Sequence, residues 1–237
     1  MTWKKESMKH LNVTATDTAY VVEKKGVTNY MQTGTFDNKT PDIIVIDNFY
    51  KYPDKVREYA LDLNYMPPGD HGAVGHRTES RTIYDGTLEF FENLLKIKIR
   101  VDEDMGGWDY GTNGVFQWCP AGTPHVYHAD RQRWAAAVYL TPDAPLGAGT
   151  SFFKHKDNGE TDRKAFIDSW HGDMMTDPEC WHLDPSLWDK VDTVGNIYNR
   201  LVIWDARKVH SASDYFGDSI DTARLFQLFF FDEEVEQ

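Results

Sequence analysis

The amino-acid sequence predicts an α+β fold that is mainly β, with a jelly-roll core (a double-stranded β-helix) and N-terminal helices packed on it. Helical patterns come first along the chain, and short strands punctuated by glycine and proline follow from about residue 114 onward, an order typical of α+β domains. The 237 residues are 41% hydrophobic, which is enough for a packed core. We expect residues 1–40 to form an N-terminal arm and residues 41–237 to form a single domain.

The first part of this domain is predicted to contain one strand and two helices. The β-branched run Ile43–Ile46 predicts the strand. Pro53 occupies a favourable first helical position, apolar residues then recur at helical spacing, and the prolines and glycine at 67–69 are expected to end this helix. A second helix is predicted over residues 88–95, with Thr87 available as its N-cap.

Six short apolar segments in the second half predict the strands of a jelly-roll core at about residues 114–231. They cover residues 115–119, 126–128, 134–141, 150–153, 200–204 and 224–231. The polar stretch 156–199 is too long for a hairpin loop, so we expect it to be an insertion between strands. It contains Trp170, Trp181 and Trp188, and Asp184 is placed to cap a helix.

The charge balance and the cysteine content exclude several classes of protein. With 25 basic against 38 acidic residues, the net charge of -13 repels phosphates and anionic lipid, so we expect neither nucleic acid nor a membrane as a partner. The apolar runs are far shorter than the roughly 20 residues that span a bilayer. Two cysteines and a polar N-terminal segment favour a reducing cytoplasm. Nothing in the sequence indicates the oligomeric state.

A candidate metal site is suggested by a His-x-Asp pair at the end of a strand. Alternate residues of a strand share one face, so His128 and Asp130 could reach one ion. The pair stands between a short strand and the buried strand at 134–141, which puts it at the rigid mouth of a sheet. His210 qualifies as a third ligand because it lies between the last two apolar strands. Two histidines and one carboxylate form the facial triad of non-haem Fe(II) sites.

Three further His-x-Asp pairs lack this strand context, and we expect them not to bind the metal. They are His155 with Asp157, His171 with Asp173, and His182 with Asp184. The first runs into a polar turn, and the other two lie in the predicted insertion, where helix capping is the better explanation of the last aspartate. The histidine of any such pair is more often an ordinary surface or core residue than a ligand.

The order of these features resembles that of the 2-oxoglutarate/Fe(II)-dependent oxygenases, and within them of the prolyl-hydroxylase-like group. The likeness covers about residues 116–231. Tyr139 stands in the strand after the metal pair, where the family's tyrosine meets the distal carboxylate of the cosubstrate, and Thr150 lies in the turn that follows. Arg224 opens a strand that is similar to the family's last, at the position of the basic residue that pairs with the same carboxylate.

The resemblance implies a ligand set and an activity. Fe(II) would be held by His128, Asp130 and His210, and 2-oxoglutarate would bind as cosubstrate against Arg224 and Tyr139. The reaction would consume O₂, release succinate and CO₂, and hydroxylate an unactivated C–H bond. A guanidinium suits the cosubstrate better than a lysine because it meets a carboxylate with two hydrogen bonds.

Two positions depart from the family pattern. His125 stands where prolyl hydroxylases often carry a tyrosine, and two roles are open to it: a hydrogen bond to 2-oxoglutarate or a place in the pocket wall. The interval between His210 and Arg224 is longer than in prolyl hydroxylases. Arg133 and Arg207 are therefore the alternatives for the carboxylate anchor.

The substrate is indicated only by its charge. The segment 156–199 holds ten acidic and four basic residues, which favours a neutral or cationic small molecule or peptide over a polyanion. This segment and the polar loop 75–81 are candidates for the walls or lid of the site. A metal-dependent hydrolase or isomerase, or a jelly-roll module that only binds a ligand, remain alternatives; neither needs a cation at Arg224 and a phenol at Tyr139.

Overall fold

The computed structural model describes residues 42–69, 73–166 and 183–235, and the backbone of two strands before them. The chain divides into two compact units, Met1–Pro41 and Asp42–Gln237. In the first unit, strands β1 (Leu11–Thr16) and β2 (Ala19–Lys24) pair antiparallel. Within the described residues, no helix has both the length and the apolar character needed to cross a membrane.

In its described residues the second unit is mainly β, with two antiparallel sheets and two α-helices. Its elements are β3 (Ile43–Ile46), α1 (Pro53–Leu61), β4 (Tyr65–Met66), β5 (His76–Thr78), α2 (Thr87–Leu95), β6 (Phe116–Cys119), β7 (Trp134–Tyr139), β8 (Thr150–His155), β9 (Trp188–Val194), β10 (Leu201–Asp205), β11 (His210–Ala212) and β12 (Arg224–Phe231). The large sheet has the order β3-β10-β7-β12-β6-β5-β4, and the small sheet has the order β11-β8-β9. The architecture is consistent with the predicted jelly-roll fold.

The central strands of the large sheet are buried on both faces, which explains their unbroken apolar sequences. Along β7, Trp134 and Val138 belong to a core shared with Val56 of α1 and Phe91 of α2. The alternate residues Ala135, Ala137 and Tyr139 belong to a second core that contains residues of the small sheet. One face of the large sheet therefore contacts the helices, and the other contacts the small sheet.

Five of the six strands predicted in the second half of the chain are present, and further strands lie where none was predicted. Residues 126–128 form no strand; only His128 makes an isolated bridge. The predicted insertion is shorter than expected because β9 lies inside it and pairs with β8. Trp188 of this strand is buried and stacks on Tyr127, so it is a core residue and not a wall of the substrate site. The expected cap Asp184 does accept a hydrogen bond from the Ser186 amide, at a short 3₁₀ helix.

Both predicted helices are present, with different ends from those expected. Helix α1 ends at Leu61, well before the prolines at 67–69, because the chain turns there into β4. Thr87 is the first residue of α2 and not its N-cap: its hydroxyl donates to the Tyr84 carbonyl, 2.6 Å away. The N-cap is Gly86, whose positive φ of 81° is a conformation that glycine adopts without strain.

Candidate active site

A cavity of about 130 Å³ lies between the two sheets. The volume is many times the roughly 10–15 Å³ that one water molecule requires, so a small organic ligand can enter it. Its walls come from both sheets and include Arg77, Gln117, His128, Asp130, Ala137, Thr150, Trp204, His210, Tyr215, Arg224 and Phe226. Ala137 keeps the space open because a larger side chain on that face of β7 would project into it.

The structure brings the three predicted metal ligands together at one end of this cavity. His128 and His210 form an antiparallel bridge in which each backbone amide donates to the other residue's carbonyl, at 3.1 and 2.8 Å. This pairing places the two imidazoles side by side, with ring centroids 4.3 Å apart. Asp130 completes the group, and the three ligand atoms lie within 4.8 Å of one another. Such a cluster could hold a metal ion.

Backbone carbonyls orient both imidazoles. Nδ1 of His128 is 3.0 Å from the Val126 carbonyl, and Nδ1 of His210 is 2.8 Å from the Lys208 carbonyl. A carbonyl can only accept, so Nδ1 carries a proton in each ring, and Nε2 is the nitrogen turned toward Asp130. Nε2 of His210 is 3.4 Å and Nε2 of His128 is 3.7 Å from the Asp130 carboxylate. Metal-binding histidines use this arrangement, in which the second ring nitrogen is held by a hydrogen bond.

The Asp130 carboxylate is suited to a cation. Its Oδ2 is buried and accepts no hydrogen bond within the described residues. Burial raises the pKa of Asp130, but the positive charges of protonated His210 and His128 and of Arg77 outweigh it and hold the pKa below its usual range. The backbone of Asp130 is fixed separately, because its amide donates to the Ala206 carbonyl and its carbonyl accepts two hydrogen bonds from the Arg163 guanidinium. The donor set, two imidazoles and one carboxylate, fits Fe(II).

Arg224 lines the same cavity and is 4% exposed. Its Nε donates to the Ala148 carbonyl and its Nη2 to the Gly149 carbonyl, both at 3.1 Å. The guanidinium also lies 4.3 Å from the ring centroid of Phe226 and 5.3 Å from that of Tyr139. No carboxylate of the described residues pairs with it. A fixed, buried cation in a cavity wall is a site for an anionic ligand.

The other predicted cosubstrate contacts have different positions. Thr150 lines the cavity, and its hydroxyl is 2.7 Å from the Tyr139 hydroxyl. Tyr139 lies behind Thr150, is fully buried, and has its pKa raised by that burial. Nδ1 of His125 is 3.0 Å from the Ala212 carbonyl, and its ring packs beside Tyr215, which lines the cavity. His125 thus lies beside Tyr215 and is not itself one of the residues that line the cavity.

The alternative residues lie elsewhere or outside the described part of the chain. Arg133 and Arg207 both pair with Asp205, and neither lines the cavity. His155 packs edge-on against Trp188 and accepts a hydrogen bond from the Asp157 amide, and it does not line the cavity. His171, Asp173, Trp170, Trp181 and His182 lie outside the described residues.

Arg77 and Gln117 are polar residues of the cavity wall that the sequence did not identify individually. Arg77 and Gln117 face each other across β5 and β6, and Nε and Nη2 of Arg77 donate to Oε1 of Gln117 at 2.9 and 2.7 Å. Arg77 belongs to the segment 75–81, which was expected to be a polar loop; residues 76–78 of it form β5, and Arg77 lines the cavity. No sequence signal separates Arg77 from Arg81 of the same loop, which pairs with Asp109 outside the cavity.

One known family matches a part of the chain that includes most of this site. The sequence profile of a protein family of unknown function, DUF6445, matches residues 117–215. The match includes the three clustered residues His128, Asp130 and His210, and it ends before Arg224. A comparison with curated proteins found no match to this chain.

Several solved structures resemble the chain over most of its length. HygX from Streptomyces hygroscopicus, with nickel, 2-oxoglutarate and hygromycin B bound, is 13% identical, with a TM-score of 0.48 over 84% of this chain and 86% of that chain. A prolyl hydroxylase from Trichoplax adhaerens, in complex with a hypoxia inducible factor peptide fragment, is 12% identical, with a TM-score of 0.41 over 81% and 84%. A Pseudomonas putida prolyl-4-hydroxylase is 14% identical, with a TM-score of 0.40 over 81% and 94%.

These structures belong to the group that the sequence resembles, because they include prolyl hydroxylases and a protein that binds 2-oxoglutarate. At these identities and TM-scores the likeness does not extend to function. The function of this chain therefore depends on the residues of its own site.

Proposed function

We propose that this chain is a 2-oxoglutarate- and Fe(II)-dependent dioxygenase whose two sheets form a double-stranded β-helix. The observation that supports it best is one cavity that contains both a two-histidine, one-carboxylate cluster and a buried arginine without a carboxylate partner among the described residues. The cluster offers three ligands for Fe(II), and the arginine offers a partner for a dicarboxylic cosubstrate.

Each side chain has a defined part in this proposal. His128, Asp130 and His210 hold the metal, and the carbonyls at their Nδ1 atoms keep the histidines in the tautomer that can bind it. Arg224 binds the distal carboxylate of 2-oxoglutarate, and Thr150, supported by Tyr139, lies beside it. When bound, the metal and cosubstrate supply an oxidation of an unactivated C–H bond by O₂, with succinate and CO₂ as products.

The apolar part of the wall protects this chemistry from water. Ala137, Trp204 and Phe226 form an apolar floor on the large sheet. His210 and Thr150 of the small sheet lie opposite them. A low-dielectric floor strengthens the attraction between the Arg224 guanidinium and a carboxylate, because fewer water molecules compete for either group.

The test uses purified protein under anaerobic conditions with Fe(II). Addition of 2-oxoglutarate should produce a weak visible charge-transfer band, and admission of O₂ should produce succinate. Glutarate, which lacks the keto oxygen, is the matched control: it can meet Arg224 but should give no band. A protein that binds Fe(II) yet shows neither the band nor succinate would refute the proposal.

A metal-dependent hydrolase or isomerase, or a module that only binds a ligand, would not require the arginine. Turnover that needs the metal but not 2-oxoglutarate would favour the first alternative, and ligand binding without any turnover would favour the second.

The primary substrate is proposed to be a small molecule or a peptide that is neutral or cationic overall. The acidic balance of residues 156–199 supports this charge, since such a field slows the approach of a polyanion. Among the similar structures, HygX holds hygromycin B and the Trichoplax adhaerens enzyme holds a peptide fragment. A screen of amino acids, peptides, nucleotides and sugar acids for stimulated succinate formation tests this. The proposal fails if only a polyanion stimulates the reaction.

A further inference from the structure

A second arginine lines the cavity and has no role in the proposed function. Arg77 lies on β5 at the side of the large sheet, where it pairs across strands with Gln117. Gln117 donates from Nε2 to the Val74 carbonyl at 2.6 Å, which turns its Oε1 toward the guanidinium. Because Oε1 then receives bonds from both Nε and Nη2 of Arg77, the guanidinium is held in one orientation.

The free donors of Arg77 form a carboxylate-binding edge. Its bonds to Gln117 use Nε and one hydrogen of Nη2, and Nη1 donates to nothing in the described part of the chain. Its hydrogen bonds go to a neutral amide and its charge also acts on the Asp130 carboxylate, but no ion pair of Arg77 occurs within the ranges that the structure describes. Burial lowers the pKa of Arg77, but an arginine stays charged. The Nη1 and Nη2 end of a guanidinium is the edge that grips a carboxylate with two parallel hydrogen bonds.

The charges of the cavity leave one positive charge for a further ligand. Among the described residues, its wall carries two arginines, Arg77 and Arg224, against one carboxylate, Asp130. A divalent cation and the 2-oxoglutarate dianion cancel each other, so one net positive charge remains when both are bound. A charge buried without a partner is costly, and a monoanionic group on the second substrate removes that cost.

We infer that Arg77 binds a carboxylate of the primary substrate, which makes that substrate a carboxylic acid such as a free amino acid or a peptide with a free C-terminus. The inference rests on the proposed function and makes it more specific. A single carboxylate is compatible with a molecule that is neutral or cationic overall, since an amino group elsewhere balances it.

The experiment compares matched carboxylic acids and primary amides on the full chain. The panel contains free amino acids with their amides and dipeptides with their C-terminal amides. Binding is measured as the rise in Tm of the protein loaded with Ni(II) and 2-oxoglutarate, and turnover as the stimulation of succinate formation with Fe(II). In the wild type we expect the acids to raise Tm and stimulate succinate formation, and the amides to do neither.

Substitution of Arg77 should remove this preference. Arg77→Gln should weaken the binding of the active acid by at least about 30-fold and let its amide bind as well as the acid, a change of preference that misfolding cannot produce. Arg77→Lys should keep the preference for the acid with weaker binding. Arg81→Gln is the matched control from the same loop, because Arg81 pairs with Asp109 and does not line the cavity; it should behave as the wild type.

Several outcomes would overturn the inference. They are an amide as effective as its acid in the wild type, a panel in which no acid raises Tm, and Arg77→Gln protein that still prefers the acid. A loss confined to 2-oxoglutarate affinity in Arg77→Gln would overturn it too, since the carboxylate would then belong to the cosubstrate. Succinate formation by wild type and Arg81→Gln without added substrate tests the proposed function separately, because its absence defeats that function whatever the panel shows.

Discussion

Substitution of Arg224 by alanine removes the cation that is proposed to hold 2-oxoglutarate. The side chain is 4% exposed and lies beside two aromatic rings, so a carboxylate bound to it is largely shielded from water. Removal of one partner of a buried, hydrogen-bonded charge pair costs about 2–5 kcal/mol, which corresponds to roughly 30-fold to 5,000-fold in affinity. The lost bonds to the Ala148 and Gly149 carbonyls should also lower the stability, by about 1 kcal/mol each.

Isothermal titration of the Ni(II)-loaded protein with 2-oxoglutarate measures this loss directly. Arg224→Ala should bind the metal as the wild type does and bind 2-oxoglutarate at least about 30-fold more weakly. Arg224→Lys should recover part of the affinity, because it restores the charge without the two-pronged geometry. Arg207→Ala is the control, since Arg207 pairs with Asp205 outside the cavity. Unchanged affinity in Arg224→Ala, with a loss in Arg133→Ala or Arg207→Ala, would refute the assignment.

Three further predictions address the metal and the fold. His128→Ala, Asp130→Ala and His210→Ala should each abolish Fe(II)-dependent turnover of 2-oxoglutarate, whereas His155→Ala, His171→Ala and His182→Ala should retain it; metal titration of each variant decides. Gly149→Ala should lower Tm by roughly 2–12 °C through about 1–3 kcal/mol of overpacking, because a Cβ would lie 1.9 Å from the Val194 carbonyl oxygen, whereas Gly147→Ala has open space and should not. Burial raises the pKa of Asp205, but Arg207 and Arg133 outweigh it and leave the pKa lowered. The stabilisation is therefore present above the unfolded pKa and lost as pH falls through the folded one, so the Tm deficit of Asp205→Asn, about 4–8 °C for about 2 kcal/mol at pH 7, should shrink below about pH 4.

The strands that could be predicted are those whose own residues favour an extended conformation. Ile43–Ile46 and Arg224–Phe231 have the predicted ends because their own residues favour strands wherever they are placed. Strand β9 could not be predicted, because its five middle residues are exposed and Val191 alone among them is apolar. Its extended conformation depends on pairing with β8, which is a non-local contact that composition does not report.

The site shows the same division. His128 and Asp130 could be selected from four similar pairs because a buried strand follows them directly. The pairing of His128 with His210 is a matter of register between distant segments, and the sequence could only suggest it. Arg77 had no signal of its own, because only the cross-strand alignment with Gln117 separates it from the outward-facing Arg81.

Ala137 of β7 links the stability of the protein to the size of its cavity. If the space of about 130 Å³ that Ala137 helps to keep open were dry and empty, it would cost about 3 kcal/mol at roughly 24 cal/mol per Å³, and water on the polar wall reduces that figure. Natural variants that enlarge this residue would gain packing and lose room for ligands, as in other proteins whose active sites oppose stability. Substitution at Ala137 would thus be limited by the room that ligands need in the cavity, and not by the packing of the core.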